Sequence, residues 1–389
     1  MISQIFKKSF IASCAVVFLA QVGFAQESEL STDTEVSSEN TDTFTLKGMP
    51  TLSSNPTSGT GIGATGVGIY KVDKDSSPSQ VIVTGQYTNT DSWNLFLINK
   101  MFLDSDKWQS NSLAGYIYTN NENSIPSDID IPIGSPISPD DKIKYNVEIY
   151  VVYQQFLYEV ANDFYFGPQI YYIDQKFNAT NDLGVAFLQT NGIEDSSRGG
   201  LGLTLNYDSR SKSEKFYPTN SSFVGLMLTD FPEWMGIDEQ YFNAILNARK
   251  YIHGFKEDDV FAMQLYAQVS SENTPDGALA GLGARNVLRG FPIGLHKTRH
   301  MVAAQGEYRY LITNTSFRLT AFGGYANLSG GSKGDGNGNN RDKDNGNYYS
   351  GGLGVHYILE KNQGLDYRIN VAYTNERETS IYASINQAF

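Results

Sequence analysis

Short segments in which apolar and polar positions alternate recur along the chain from residue 57 to its end. In the clearest, Leu365–Tyr373, every odd position is apolar or aromatic, and the even positions are Asp, Arg, Asn and Ala. A strict period of two over this length predicts a β-strand with two unlike faces. Similar alternation occurs over 263–269, 317–321 and 353–357. The pattern therefore predicts an all-β protein.

The alternation predicts fifteen strands of about the length that crosses a bilayer as a tilted β-strand. They are 60–71, 79–90, 92–103, 107–119, 143–160, 163–177, 199–211, 222–231, 240–253, 258–270, 300–311, 315–327, 348–360, 364–375 and 379–389. A closed antiparallel barrel whose ends lie on the same side needs an even number of strands. We therefore expect a short sixteenth strand within the long connection 120–142, at Asp128–Ile133. The predicted fold is a transmembrane antiparallel β-barrel of sixteen strands, with a polar lumen partly filled by the 271–299 loop.

The N-terminal part of the chain differs from the rest. Residues 1–25 carry Lys7 and Lys8, then an apolar run and small residues before Gln26, which is typical of a signal peptide. Residues 26–56 are rich in Ser, Thr, Glu and Asp, so we expect a disordered tail. The barrel is then expected to occupy residues 57–389. The one cysteine, Cys14, lies in the predicted signal peptide, which leaves no disulfide in the exported chain.

Composition narrows the class of protein. The chain has 42 acidic and 29 basic side chains, a net charge of −13, which argues against binding to nucleic acid phosphates. After the signal peptide it has no apolar run long enough for a membrane helix, yet it contains 25 Tyr, 22 Phe and 37 Gly. This combination is typical of an outer-membrane barrel. A large secreted β-sandwich or β-helix is the alternative that composition alone leaves open.

Three segments carry a resemblance to a known family. Leu288-Arg289-Gly290-Phe291 looks like a V/L-R-G-F/Y motif, and five predicted strands follow it. Tyr207-Asp208-Ser209-Arg210, with Pro218 further on, looks like a Y-D-T/S-R…P-T-x-G motif. The chain ends in an aromatic residue, Phe389, which resembles the terminal signal of outer-membrane barrels. In this order the segments resemble the bacterial surface antigen family, the barrel shared by BamA/TamA assembly proteins and two-partner secretion translocators.

The resemblance implies an integral protein of the outer membrane of a Gram-negative bacterium. It implies a role in outer-membrane biogenesis, either protein insertion or translocation or lipid handling. The implied partners are outer-membrane lipids, the assembly machinery, and client proteins or a periplasmic partner. Residues 26–56 are too few for a periplasmic POTRA repeat, so the chain resembles a short form of the family. A passive diffusion channel, or an anchor for a periplasmic partner, is therefore kept as an alternative function.

The luminal motif gives the sharpest site prediction. A guanidinium in a confined pore loses hydration and cannot shed its proton, so Arg289 is expected to need a carboxylate partner. The family's usual Asp position is occupied by Gly324. Glu307 lies at one of the polar positions of its alternating strand, which are expected to face the lumen. It is the expected partner of Arg289, with Asp366 as the alternative.

No catalytic or cofactor signature is present. His296 and His300 have the spacing of a helical zinc pair but lack its sequence frame, and the Asp residues of 330–347 do not complete a calcium loop. No nucleophile motif selects a serine. We therefore expect a protein without enzymatic activity, cofactor or metal.

Overall fold

A single large sheet dominates the computed structural model, which describes residues 44–55, 59–124, 141–190, 193–211, 217–283, 287–291, 296–331, 344–360 and 365–385. Sixteen strands pair antiparallel, each with its neighbours in chain order. The strands of this sheet are β1 (Thr45–Asn55), β2 (Gly59–Tyr70), β3 (Ser79–Thr88), β4 (Trp93–Leu103), β5 (Trp108–Ser124), β6 (Lys142–Ala161), β7 (Phe164–Ala179), β8 (Ser196–Asp208), β9 (Ser221–Phe231), β10 (Tyr241–His253), β11 (Val260–Ser270), β14 (His300–Leu311), β15 (Phe317–Ser329), β16 (Gly346–Glu360), β17 (Leu365–Thr374) and β18 (Thr379–Ile385).

Smaller elements lie in the connections. Two very short strands, β12 (Ala280–Gly281) and β13 (Lys297–Thr298), pair with each other within the loop that joins β11 to β14. One α-helix, α1 (Asp182–Thr190), follows β7, and single 3₁₀ turns occur at Glu233–Met235 and Asp276–Ala278. No helix in the described part of the chain is both long and apolar enough to cross a membrane.

The sixteenth strand is not where the sequence analysis expected it. β5 and β6 pair directly along their length, so the sheet has no place for a strand between them, and residues 128–133 lie outside the described residues. The additional strand is β1, which pairs with β2 from Thr45 to Asn55, within the segment predicted to be disordered. Its alternation is hidden by Gly48 and Pro50, residues that are disfavoured inside strands. Backbone pairing with β2 therefore forms β1 without a recognisable side-chain pattern.

The other N-terminal predictions concern residues that the structure does not describe. The predicted signal peptide, residues 1–25, and the part of the predicted tail at 26–43 lie outside the described residues. The terminal Phe389 does so as well. The predicted count of sixteen strands is confirmed, but the sixteenth strand was expected at 128–133 and is found at Thr45–Asn55.

The two faces of β17 are separated as the alternation predicts. Ile369 and Val371 are 46% and 45% exposed, whereas Asp366 and Arg368 are 0% and 3% exposed. Apolar side chains on the outside and buried polar ones on the inside are the arrangement of a membrane barrel. The inward positions of the strands therefore line a lumen, and the outward positions form the lipid-facing belt.

The connections divide into a long-loop end and a turn end of the barrel. The long-loop end carries 125–141, 180–195, 232–240, 271–299 and 330–345, and the turn end carries 71–78, 104–107, 162–163, 209–220, 254–259, 312–316 and 361–364. Because each strand reverses direction, consecutive connections alternate between the two ends.

The lumen is less polar than expected. Inward side chains of β2–β7 form an apolar cluster, in which Val147, Ile149 and Val151 are at most 1% exposed. Helix α1 packs on this cluster, with the rings of Phe187 and Tyr145 5.9 Å apart. Asn181 caps the helix, since its Oδ1 accepts a hydrogen bond from the Gly184 N–H at 2.8 Å. The predicted polar lumen is therefore wrong for this wall, because α1 excludes water from it.

Candidate functional site in the barrel lumen

The loop that joins β11 to β14 folds into the lumen. Leu282, Leu288 and Phe291 of this loop are at most 1% exposed, although they lie outside the large sheet. They pack against inward side chains of the neighbouring strands, Met301 and Leu328 among them. The sequence analysis expected this loop to fill part of the lumen, and the structure agrees. We call residues 271–299 the plug loop.

The tip of the plug loop has a backbone shape that requires glycine. Gly290 has φ +116°, and a Cβ atom added there would lie 2.8 Å from Thr374 Cγ2. Leu288 also has positive φ, and its N–H donates to Gln305 Oε1 at 3.1 Å. Ser380 Oγ donates to the Gly290 carbonyl at 2.9 Å, which ties the tip to β18. The tip is therefore held from both sides by strand residues.

Arg289, between these two residues, makes the predicted contact. Its Nη2 atom lies 2.6 Å from Glu307 Oε2, and the two side chains are 5% and 0% exposed. The guanidinium also stacks on the Phe322 ring, with Cζ 3.6 Å from the ring centroid. Asp366, the alternative partner, forms an ion pair with Arg318 instead. The structure thus brings Arg289 and Glu307 together and leaves Asp366 to a different arginine.

This ion pair belongs to a larger group of buried charges. Arg309 Nε donates to Glu307 Oε1 at 2.8 Å, so the one carboxylate bridges two guanidiniums. Arg318, His356 and Arg368 lie side by side across β15, β16 and β17. Glu307, Asp366 and the four arginines Arg289, Arg309, Arg318 and Arg368 are each at most 7% exposed, and we call these six residues the luminal charge network. Since a buried charge left without its partner costs several kcal/mol, the network fixes the plug loop in one position.

Some members of this site were missed by the sequence analysis. Arg318 has no motif around it, but its inward parity on β15 marks it as a luminal charge. Phe322 was given no role, yet its ring supports Arg289. Tyr217 was not singled out at all, and the Arg318 guanidinium stands 4.1 Å above its ring.

The second motif lies at the turn end of β8, away from the plug tip. Arg210 Nε lies 2.8 Å from Asp208 Oδ1, and its guanidinium stands 4.9 Å above the Phe223 ring. Tyr207 points outward and packs on Phe164, with ring centroids 4.9 Å apart. Pro218 is buried. Tyr217, next to Pro218, connects the 209–220 turn to the luminal charge network, because its ring lies beneath the Arg318 guanidinium.

His296 ties the plug loop to two other connections at the same end of the barrel. Its Nε2 lies 2.9 Å from Glu376 Oε2, and its Nδ1 lies 3.4 Å from Asp344 Oδ1. Burial lowers the pKa of this imidazole, but the hydrogen bonds to the two carboxylates raise it by more, so the pKa lies above its ordinary value of 6.5. The two ring nitrogens point at different carboxylates, and no group of three metal-ligating side chains occurs in the described part of the chain.

A row of uncharged polar side chains lines another wall of the lumen. Gln155 Nε2 donates to Thr204 Oγ1 at 2.8 Å, and Thr204 Oγ1 donates to Gln169 Oε1 at 2.9 Å. Gln169 Nε2 in turn donates to Thr229 Oγ1 at 2.7 Å. These bonds join β6, β7, β8 and β9, and we call the four residues the amide ladder.

Comparison with known proteins gives the fold a name. No protein-family model and no curated protein matches the sequence. Among solved structures, BamA from Haemophilus ducreyi lacking POTRA domains 1–3 has a TM-score of 0.52 and 15% identity, covering 96% of this chain and 78% of that one. CdiB from Escherichia coli has a TM-score of 0.65 and 10% identity, and covers 90% of this chain.

CdiB from Acinetobacter baumannii is similar as well, with a TM-score of 0.59 and 10% identity over 88% of this chain. The chain spans 63% of the length of the Escherichia coli CdiB and 59% of the Acinetobacter one. The three alignments cover 88–96% of this chain. By its fold, the chain is therefore an outer-membrane β-barrel of the BamA and CdiB type.

Proposed function

We propose that this protein acts in outer-membrane biogenesis, assisting the insertion or translocation of proteins or the handling of lipids, without enzymatic activity. The observation that carries the proposal is the plug loop, whose tip arginine is buried in the lumen and paired with Glu307 at 2.6 Å. The site of action is the outer membrane of a Gram-negative bacterium, where the lipid-facing belt contacts lipids and the assembly machinery inserts the barrel.

The filling of the lumen supports a role in biogenesis rather than that of a wide open pore. The plug loop packs against β10, β11 and the strands that follow it, while α1 packs on the apolar cluster of β2–β7. Removing the plug loop would separate Arg289 from Glu307 in a site that excludes water. Breaking a buried ion pair costs about 3–5 kcal/mol, so the loop leaves the lumen only when another event drives it. Such a gated lumen suits a protein that acts on a client protein or lipid, or with a periplasmic partner.

A depletion strain tests this function. We expect the abundance of other outer-membrane proteins, or the asymmetry of outer-membrane lipids, to fall as the protein is lost, and the wild-type gene to restore it. An Arg289→Lys variant should restore it poorly, because lysine lacks the forked donors that match a carboxylate. Arg377→Lys, the same change on an exposed loop residue, serves as the control. Unchanged protein levels and lipid asymmetry after full depletion would reject the proposal.

A passive diffusion channel is the second candidate, and the amide ladder favours it. Four hydrogen-bonding side chains in a row provide a wall along which a polar solute or water exchanges partners. Planar-bilayer recording separates the two functions. A passive channel gives stable conductance steps in the wild type, whereas a gated barrel gives steps only after the plug loop is released, for example in Glu307→Gln.

A further inference from the structure

Another buried arginine lies at the long-loop end of the lumen, apart from the luminal charge network. Arg198 is the third residue of β8 and points inward, with 7% of its surface exposed. Its Nε atom is buried and has no hydrogen-bond partner. No ion pair of Arg198 exists within the described part of the chain. A guanidinium keeps its charge in such a place, because its pKa is far above any physiological pH.

A second buried polar group without a hydrogen-bond partner, a tyrosine hydroxyl, lies in the same part of the lumen. Tyr241, the first residue of β10, is 1% exposed, and its Oη atom is buried without a hydrogen-bond partner. Gly200 lies two residues from Arg198 on β8, and a Cβ atom added there would be 2.6 Å from the Phe231 ring on which Tyr241 stacks, so the two groups share one region of the lumen. Buried polar groups are nearly always hydrogen-bonded, which makes two neighbouring donors without an acceptor an exception that requires a cause.

The surroundings explain why both side chains are held in place. The ring of Tyr241 stacks on Phe231 with centroids 4.3 Å apart, and Tyr171 meets Phe231 edge-on at 6.0 Å. These rings form an apolar floor that excludes water and strengthens electrostatic interactions above it. On the other side, the Arg198 guanidinium lies against Gly277 of the plug loop, where an added Cβ would be 3.2 Å from Nη2.

The plug loop completes the enclosure. Two strand residues bind its 3₁₀ turn at Asp276–Ala278. Asn243 Nδ2 donates to the Ala278 carbonyl at 3.3 Å, and Gln268 Nε2 donates to the same carbonyl at 3.2 Å. The Asn243 Oδ1 atom is also buried without a partner, but as an acceptor it has no part in holding an anion. The turn therefore covers a small region in which donors, a positive charge and an apolar floor come together.

We infer that Arg198 and Tyr241 form a binding site for an oxyanion, a carboxylate or a phosphate group, at the long-loop end of the lumen. The forked guanidinium meets two oxygens of such a group, and the tyrosine hydroxyl donates to one of them. The inference goes beyond the function proposed above and holds for a biogenesis protein and a channel alike. A free ion and the head group of an anionic lipid are two sources of the same chemistry.

Ligand-observed ³¹P NMR of inorganic phosphate tests the site on the folded protein in nanodiscs of a zwitterionic lipid. The wild type should broaden the phosphate resonance, and acetate should reverse the broadening by competition. Arg198→Gln should raise the dissociation constant for phosphate at least tenfold. Arg198→Lys should lie between the two, and Tyr241→Phe should weaken binding by a smaller factor. Nanodiscs that contain phosphatidylglycerol should abolish the broadening only if a lipid head group reaches the site.

Arg299→Gln is the matched control, since Arg299 lies at the same end of the barrel but pairs with Glu272 at 3.4 Å. Heat-modifiable mobility on gels identifies the variants that fold. If Arg198→Gln does not fold, Tyr241→Phe and Arg198→Lys still test the site. An absence of phosphate broadening by the wild type would overturn the inference. So would unchanged binding in Arg198→Gln, or an equal loss in Arg299→Gln.

Discussion

Arg289 on the plug loop and Glu307 on β14 are joined inside the barrel by an ion pair of 2.6 Å, from which water is excluded. The same carboxylate accepts a hydrogen bond from Arg309, and the Arg289 guanidinium rests on Phe322. The loop and the wall of the barrel therefore share one charge cluster. A substitution at either residue therefore affects both the plug loop and β14.

Neutralising Glu307 should destabilise the barrel and free the plug loop. Glu307→Gln leaves two buried guanidiniums without their shared carboxylate, and we expect a loss of about 3–5 kcal/mol in the free energy of unfolding. Urea unfolding of the purified barrel measures it. In a double-mutant cycle with Arg289→Lys, the two losses should be non-additive by about 0.5–3 kcal/mol. Additive losses would show that the two side chains do not act as a pair.

Gly290 should not tolerate a side chain. Gly290→Ala places a Cβ atom 2.8 Å from Thr374 Cγ2 and forces a residue with a side chain to φ +116°. The strain of such a conformation costs about 1–3 kcal/mol. Thr374→Ser should recover the part that comes from the clash and not the part that comes from φ. Gly323→Ala is the control, because its Cβ would have no neighbour closer than 3.6 Å. Unfolding midpoints of the three single variants and of the Gly290→Ala/Thr374→Ser double variant separate the two contributions, and an unaffected Gly290→Ala would contradict the geometry.

The lipid-facing belt should reject a charge at Ile369. This side chain is 46% exposed on the outer face of β17. Ile369→Arg should cost about 2–4 kcal/mol if it lies near the membrane midplane. Ile369→Leu keeps the apolar surface and should behave as the wild type. Membrane fractionation and heat-modifiable mobility compare them, and equal behaviour of both variants would mean that this face does not contact lipid.

The contact of His296 with Asp344 and Glu376 should depend on pH. The pKa of His296 is raised above its unfolded value of 6.5, so the protonated ring stabilises the folded loops. This contribution is fully present below pH 6.5 and is lost as the pH rises through the higher folded-state pKa. Limited proteolysis of the long loops between pH 5.5 and pH 8.5 measures it, with faster cleavage expected at the alkaline end. His296→Gln should remove the pH dependence; a variant that retains it would show that another group titrates.

The first strand should be essential, whereas the acidic segment before it should not. Deletion of residues 27–42 is expected to leave the barrel folded and inserted, since the sequence there is too polar to form a core. Deletion of residues 45–55 removes the partner of β2 and leaves a long row of unpaired backbone groups at the edge of the sheet. Heat-modifiable mobility distinguishes the outcomes. Loss of the folded form in the first deletion would show that the acidic segment has a structural role.

The sequence by itself determined the class of fold and the orientation of many side chains. In β17 the alternation separated Asp366 and Arg368 from Ile369, because a strand in a barrel has one face toward lipid and one toward the lumen. The same parity identified Glu307 as an inward carboxylate. Such patterns are local, and they are readable without knowing which strands are neighbours.

The tertiary structure decided what lies next to what. The sequence left Glu307 and Asp366 as alternative partners of Arg289. Only the tertiary structure distinguishes them, because the plug loop packs on β14 beside Glu307 and Asp366 pairs with Arg318. β1 carries Gly48 and Pro50 and has no clear alternation; it is a strand because β2 offers it backbone hydrogen bonds. Arg198 and Tyr241 share one region of the lumen only because β8, β9 and β10 are neighbours in the sheet. Partners far apart in the chain are set by register and burial, and neither is encoded in the local pattern.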